Sequence, residues 1–277
     1  MEQKKQVHQA LLHRKKNNVL ALYAGISAVF TIFFVLWGDR FPQQLTYLSY
    51  LFGLFLCLLI VWRINKIRQE EHKQQPAVQT EGTAALMVFG ILGFVAGIIG
   101  AVALAVVQSV LGVAGISSVS LFGAVILAPV SMIPICAVAR RDVRLIMDYC
   151  TIGVYCVLAF SKLGCHAGGC CYGIEIQHTV FHRNFFPVQL CESVCTFLIV
   201  GFLIWYLLKA KRSISGALYP IATLLYCSTR FVWEFLRHHE DKNYVIAGAL
   251  TFWQLLAAGC FVISAVWLAV ILKKNKR

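Results

Sequence analysis

Apolar runs close to the ~20 residues that an α-helix needs to cross a bilayer recur along the whole chain. Eight are read, at roughly 19–37, 44–62, 84–108, 118–139, 145–161, 188–208, 216–236 and 247–272. The stretches between them are too short for a separate soluble domain, and residues 65–83 read as a polar linker. Apolar residues make up 59% of the chain, charged ones 13%, and the mean hydropathy is +0.73. Those values exclude an ordinary soluble globular domain. The expected fold is an all-α polytopic membrane protein, a helix bundle of about 7–8 transmembrane helices. The first run ends at Trp37-Gly38-Asp39-Arg40 without a small-x-small cleavage pattern, so it is read as a retained helix rather than a signal peptide.

The formal charge of +13 is unevenly spread. Of the 25 Lys and Arg, 19 fall in residues 1–18, 63–83, 140–144, 209–212 and 273–277, all on one side if eight helices alternate. The positive-inside rule makes that side cytoplasmic, with both termini inside. The charge is therefore a topology signal. No aromatic-basic module accompanies it, so no nucleic-acid partner is expected. The other six, Arg40, Lys162, Arg183, Arg230, Arg237 and Lys242, lie at or beyond outer helix ends and resist the bias.

Eleven cysteines divide in the same way. Cys57, Cys136, Cys150, Cys156, Cys227 and Cys260 lie within apolar runs, where Cys acts as a small hydrophobe. Cys165, Cys170, Cys171, Cys191 and Cys195 gather toward the outer face. Within the bundle, the Gly93/Gly97 spacing predicts close helix packing, Pro129 and Pro134 a bend, and Asp148 a local ion pair with Arg144.

Three segments converge on the outer side. One run ends at Lys162 and is followed by a loop rich in Gly and Cys, through Gly164, Cys165, His166, Gly168, Gly169, Cys170, Cys171 and Gly173. Glycine N–H groups in such a loop are suited to cradling an anion. The second segment starts at Phe186-Pro187-Val188-Gln189-Leu190-Cys191-Glu192. The third carries Arg230 and Glu234, four residues apart on one helix face, and Arg237. Charged residues at membrane depth are costly unless paired or used. A guanidinium there suits bidentate phosphate binding. The alternative is an interhelical network of Lys162, Glu192, Arg230 and Glu234 that fixes packing.

These segments resemble the prolipoprotein diacylglyceryl transferase family, membrane enzymes that lipidate lipobox cysteines. Ser161–Gly173 is similar to the family's Gly-Arg-Ile-Gly-Asn-Phe-x-Asn-Gly-Glu-x-x-Gly, Phe186–Glu192 to its His-Pro-Ser-Gln-Leu-Tyr-Glu, and Tyr226–Arg237 to its Tyr-Gly-x-x-Arg-Phe-x-x-Glu-Phe-x-Arg. Ala139-Arg140-Arg141 ahead of Asp148, and Phe252-Trp253-Gln254, also fit. The chain departs from the pattern at Lys162 for arginine, Cys165 and Gly168 for two asparagines, Cys170 for glutamate and Phe122 for a histidine.

The resemblance implies a transferase moving diacylglyceryl from phosphatidylglycerol to a prolipoprotein cysteine in the outer leaflet of a bacterial plasma membrane. Residues 1–43 would be a cytoplasmic tail plus an added helix, and 44–277 the transferase-like domain. Arg230 and Lys162 would hold and neutralise the phosphate, and His166 would take the thiol proton. Gly164, Cys165, Gly169, Cys170, Gly173, Gln189, Glu192, Glu234 and Arg237 would line the substrate site. A phospholipid and prolipoprotein signal peptides are the implied partners, with no cofactor and no metal. Two other readings stay open. One is a non-catalytic lipid-binding or assembly protein of the same fold. The other is a thiol-redox or metal protein using Cys165, Cys170, Cys171, Cys191 and His166. Leu256-Ala257-Ala258-Gly259-Cys260 spells a lipobox inside the last helix and is read as chance.

Overall fold

The computed structural model describes residues 2–38, 40–73, 80–110, 121–180, 183–209, 214–238, 244–246 and 250–275. Lys211, Arg212, Lys242 and the expected starts of the fourth and eighth runs lie outside them. The described helices are α1 (Glu2–Trp37), α2 (Pro42–His72), α3 (Thr83–Val110), α4 (Leu121–Ala139), α5 (Val143–Gly168), α6 (Val188–Lys209), α7 (Leu218–Glu234) and α8 (Phe252–Asn275). Seven of them are long and apolar enough to cross a membrane, while α7 has 17 residues. The chain is an all-α polytopic membrane protein.

The bundle is organised around α5, of whose 26 residues 19 are buried, against three of 24 in α8. Small residues let α2 lie along it: a Cβ on Gly53 would fall 2.8 Å from the Val157 Cα, and one on Gly153 2.6 Å from the Cys57 sulfur. Helix α1 joins the same core, against α2, α5 and α6. The Tyr23 hydroxyl donates to the Phe197 carbonyl at 2.9 Å, and Phe30 packs on Phe52 and Phe160. The tightest meeting of α3 and α4 is at Gly100 and Gly123, where a Cβ on either would strike the other's carbonyl oxygen. That is one turn beyond the expected pair; a Cβ on Gly97 would rest 3.6 Å from Ala124 and one on Gly93 3.9 Å from Met132, ordinary contacts. Both Pro129 and Pro134 lie inside the single helix α4.

Several boundaries differ from those read off hydropathy. The first helix extends back to Glu2, and α2 runs to His72 through much of the expected linker. Their polar ends are good helix formers and pair across the gap, Lys15 with Glu70 at 2.6 Å and Lys16 with Glu71 at 2.5 Å. Helix α5 does not stop near Lys162 but continues to Gly168. Two antiparallel ribbons were not foreseen: β1 (Glu175–Val180) with β2 (Arg183–Phe185), and β3 (Tyr244–Ile246) with β4 (Leu250–Thr251).

Asp148 also has a different role from the one expected. Rather than pairing with Arg144, its carboxylate accepts the backbone N–H of Gly216 at 2.8 Å and of Leu218 at 3.1 Å. It thus caps the start of α7 from another helix, placing an anion where peptide N–H groups lack partners. Gly216 permits the turn with φ 84°.

Candidate functional site

The opposite end of the same seam, where α5, α6 and α7 meet, holds five charged side chains. Glu192 of α6 is the hub. It contacts the Lys162 ammonium at 2.5 Å, one guanidinium nitrogen of Arg230, and Arg237 at 3.3 Å. Glu234 takes the other nitrogen of Arg230 at 2.7 Å and lies 4.0 Å from Arg237 Nε. Lys162, Glu192, Arg230 and Glu234 are all buried. Three cations therefore face two carboxylates, and of the five groups Arg237 alone is partly exposed. Exposed pairs of this kind contribute little, but here each loss would strand a buried charge.

The N-terminal end of α8 completes the cluster. The Thr251 hydroxyl donates to Glu234 at 3.3 Å and accepts the N–H of Gln254, whose side-chain oxygen accepts the N–H of Thr251 at 3.0 Å. This is a capping box, with its Thr-x-x-Gln signature present in the sequence. Thr251 is a site residue that sequence reading missed, and the capping pattern was the signal that could have found it. The buried atoms Gln254 Nε2, Gln189 Oε1 and Arg237 Nε have no hydrogen-bond partner among the described residues.

The glycines do architectural work. Gly169 adopts φ 69° and ends α5, its N–H donating to the His166 carbonyl at 3.3 Å while Cys170 N–H reaches the Cys165 carbonyl at 3.1 Å. These paired bonds form a Schellman closure. A Cβ on Gly164 would collide with the Ser49 hydroxyl of α2. Gly173 donates to the Phe186 carbonyl at 3.0 Å, and a Cβ there would sit 2.6 Å from that oxygen and 2.7 Å from the Leu236 oxygen. The expected anion cradle of glycine N–H groups is not formed, because the N–H groups of Gly169 and Gly173 are bonded to the protein and Gly164 lies inside a packed helix. Gln189 fastens this segment by donating to the Cys170 carbonyl at 2.6 Å. His166 is buried one helical turn after Lys162, on the same face of α5.

Cys165, Cys170 and Cys171 bring their sulfurs within 4.8 Å of one another, whereas Cys191 and His166 are not in that group. Cys171 has φ 60°, a left-handed conformation that costs a non-glycine residue about 1–3 kcal/mol. Arg237 and Lys162 are charged neighbours of its thiol. Phe122, at the position where the family resemblance placed a histidine, is buried and stacks on Trp253 at 6.0 Å. A separate apolar cavity of ≈ 650 Å³ lies beside α5, lined by Tyr50, Leu54, Phe94 and Val157 among others; none of the five charged residues lines it.

A membrane-spanning bundle with a buried, unequal charge cluster at one end is an integral membrane protein built around an internal polar site. The prolipoprotein diacylglyceryl transferase family model matches residues 42–270, and the chain belongs to that family. It is 28% identical over 134 residues to a phosphatidylglycerol–prolipoprotein diacylglyceryl transferase of Clostridium tetani, covering 44% of this chain and 53% of that one. It is also 28% identical over 130 residues to the transferase 2 of that name in Clostridium perfringens, covering 43% and 50%. The chain thus spans about half the length of these curated relatives.

Proposed function

We propose that the protein transfers the diacylglyceryl group of phosphatidylglycerol to the lipobox cysteine of a prolipoprotein, in the outer leaflet of a bacterial plasma membrane with both termini cytoplasmic. One observation carries the reading: three cations, Lys162 and Arg230 buried and Arg237 partly so, share two carboxylates, so the cluster holds a surplus positive charge. Such a surplus is costly away from water, and a lipid phosphate at the cluster offsets it. The names of the two relatives supply the substrates.

This reading distributes the roles differently from the sequence expectation. Both terminal nitrogens of Arg230 are engaged by Glu192 and Glu234, so Arg230 positions the two carboxylates. Arg237, with Nε unpartnered, and Lys162 take the phosphate, joined by Gln254 Nε2. In the transfer, the acceptor thiol gives its proton to His166 and its sulfur attacks the glyceryl carbon. The carbon–oxygen bond to phosphate breaks, a thioether forms, and glycerol phosphate leaves with the electron pair. Lys162 and Arg237 stabilise the charge that gathers on that leaving group. Residues 1–43 supply an added helix to a transferase domain at 44–277.

A second reading, a non-catalytic lipid-binding protein of the same fold, draws on the engaged fork of Arg230 and on Cys170, where the family has a carboxylate. Complementation separates them. Expression in a strain depleted of its own transferase should restore growth and lipoprotein lipidation, and a folded, membrane-inserted protein that restores neither supports the second reading. A labelling probe at 74–79 should react only from the cytoplasmic side and one at 174–182 only from outside.

A further inference from the structure

We propose that Cys165, Cys170 and Cys171 form a three-sulfur site for a soft monovalent metal ion, Cu(I), at the end of α5. The backbone builds the site before any ion arrives. The Schellman closure at Gly169 brings the third residue from the helix end beside the second residue past it, a contact usually made by two apolar side chains. Here those two positions are Cys165 and Cys170, joined by the 3.1 Å bond from Cys170 N–H to the Cys165 carbonyl. The third sulfur comes from Cys171, whose left-handed backbone folds it back toward the others. Apart from Arg140, Cys171 is the one non-glycine position with positive φ among the described residues. Helix termination alone needs no strained residue there, since Gly169 already provides the turn.

The dimensions and the ligand set agree with this ion. With metal–sulfur bonds of about 2.3 Å, a planar trigonal site needs sulfurs about 4.0 Å apart. The three sulfurs lie within 4.8 Å of one another, so adjustments of less than about 1 Å close the shell. No imidazole nitrogen or carboxylate oxygen belongs to the group among the described residues; soft thiolates suit Cu(I) and zinc alike, and three ligands rather than the four of a structural zinc site favour Cu(I). Binding replaces three S–H protons by three metal–sulfur bonds, leaving a complex of charge −2. Lys162 and Arg237, both charge neighbours of Cys171, offset it. Cys170 and Cys171 are exposed, which gives the ion a path from solvent.

The test uses the full-length protein in lipid nanodiscs under anaerobic, reducing conditions, titrated with Cu(I) against a chromophoric Cu(I) chelator. One equivalent should be withdrawn from the chelator, with an X-ray absorption spectrum of sulfur ligation. The Cys165→Ser/Cys170→Ser/Cys171→Ser variant should lose that equivalent, and Cys191→Ser/Cys195→Ser should keep it. No withdrawal by the wild type, equal withdrawal by the triple variant, or a shell of nitrogen and oxygen overturns the proposal. The wild-type arms do not depend on how any variant folds. Because the probe is the metal alone, without lipid or peptide, failure here leaves the transferase reading untouched.

Discussion

Two buried acidic sites lie at opposite ends of the seam joining α5 to α7, and they are settled by different means. Asp148 is closed by peptide groups: two backbone N–H donors at the start of α7 satisfy it, and one charge is matched by the partial charge of a helix end. Glu192 is closed by side chains, three of them cationic, and shares with Glu234 a cluster in which positive charge exceeds negative. A structural acid needs a satisfied carboxylate and nothing more. The cluster at the other end keeps a charge that its own carboxylates do not balance, and the proposed function places the anionic lipid there.

The comparison is broken most severely at its hub. Glu192→Ala removes the acceptor shared by Lys162, Arg230 and Arg237, and should cost about 3–5 kcal/mol because it leaves buried cations uncompensated. Thermal unfolding of the detergent-solubilised protein should show it; a melting temperature equal to the wild type would mean that water already solvates the cluster. Arg237→Lys keeps the charge but loses the fork. Removing a charge-assisted hydrogen bond of about 1.5–3 kcal/mol should lower kcat/KM for phosphatidylglycerol roughly ten- to a hundredfold.

At the quiet end, Asp148→Asn retains one acceptor oxygen and leaves one N–H of the α7 start without a carboxylate. A loss of about 1–3 kcal/mol is expected, with the specific transfer activity of the surviving folded protein unchanged. Loss of activity without loss of stability would erase the distinction between the two ends. The smallest effect sharpens the end that holds the Glu192 cluster. Gly169→Ala forces a Cβ into the left-handed turn at the end of α5, costing about 1–2 kcal/mol in the same unfolding measurement.

The helix count was legible because burial in lipid writes itself as apolar runs, but the helix ends were not. Residues 2–18 and 63–72 are polar and still helical, held by propensity and by pairs such as Lys15–Glu70 that hydropathy cannot register. Gly164 read as the start of a loop, yet it is where α2 approaches α5, and a glycine that admits a neighbour has the same letter as one that ends a helix. Lys162, Glu192, Arg230, Glu234 and Arg237 were legible as residues that converge at one end of the bundle, because charge at membrane depth needs a reason. The Arg230–Glu234 pair followed from their i,i+4 spacing, but Glu192 as the shared partner did not, since it meets Arg230 across 38 residues of chain, and Asp148 meets backbone groups 68 and 70 residues away. No local spacing encodes such partners.

The central claim is that the Glu192 cluster serves transfer from an anionic phospholipid. The most direct measurement is mass spectrometry of a lipobox peptide incubated with the purified protein in vesicles containing phosphatidylglycerol. The account predicts a diacylglyceryl thioether on the peptide cysteine, with glycerol phosphate released in equal amount, and no product from the Lys162→Ala/Arg237→Ala variant. An unmodified peptide, in the presence of a wild-type protein shown to be folded and inserted, would contradict it.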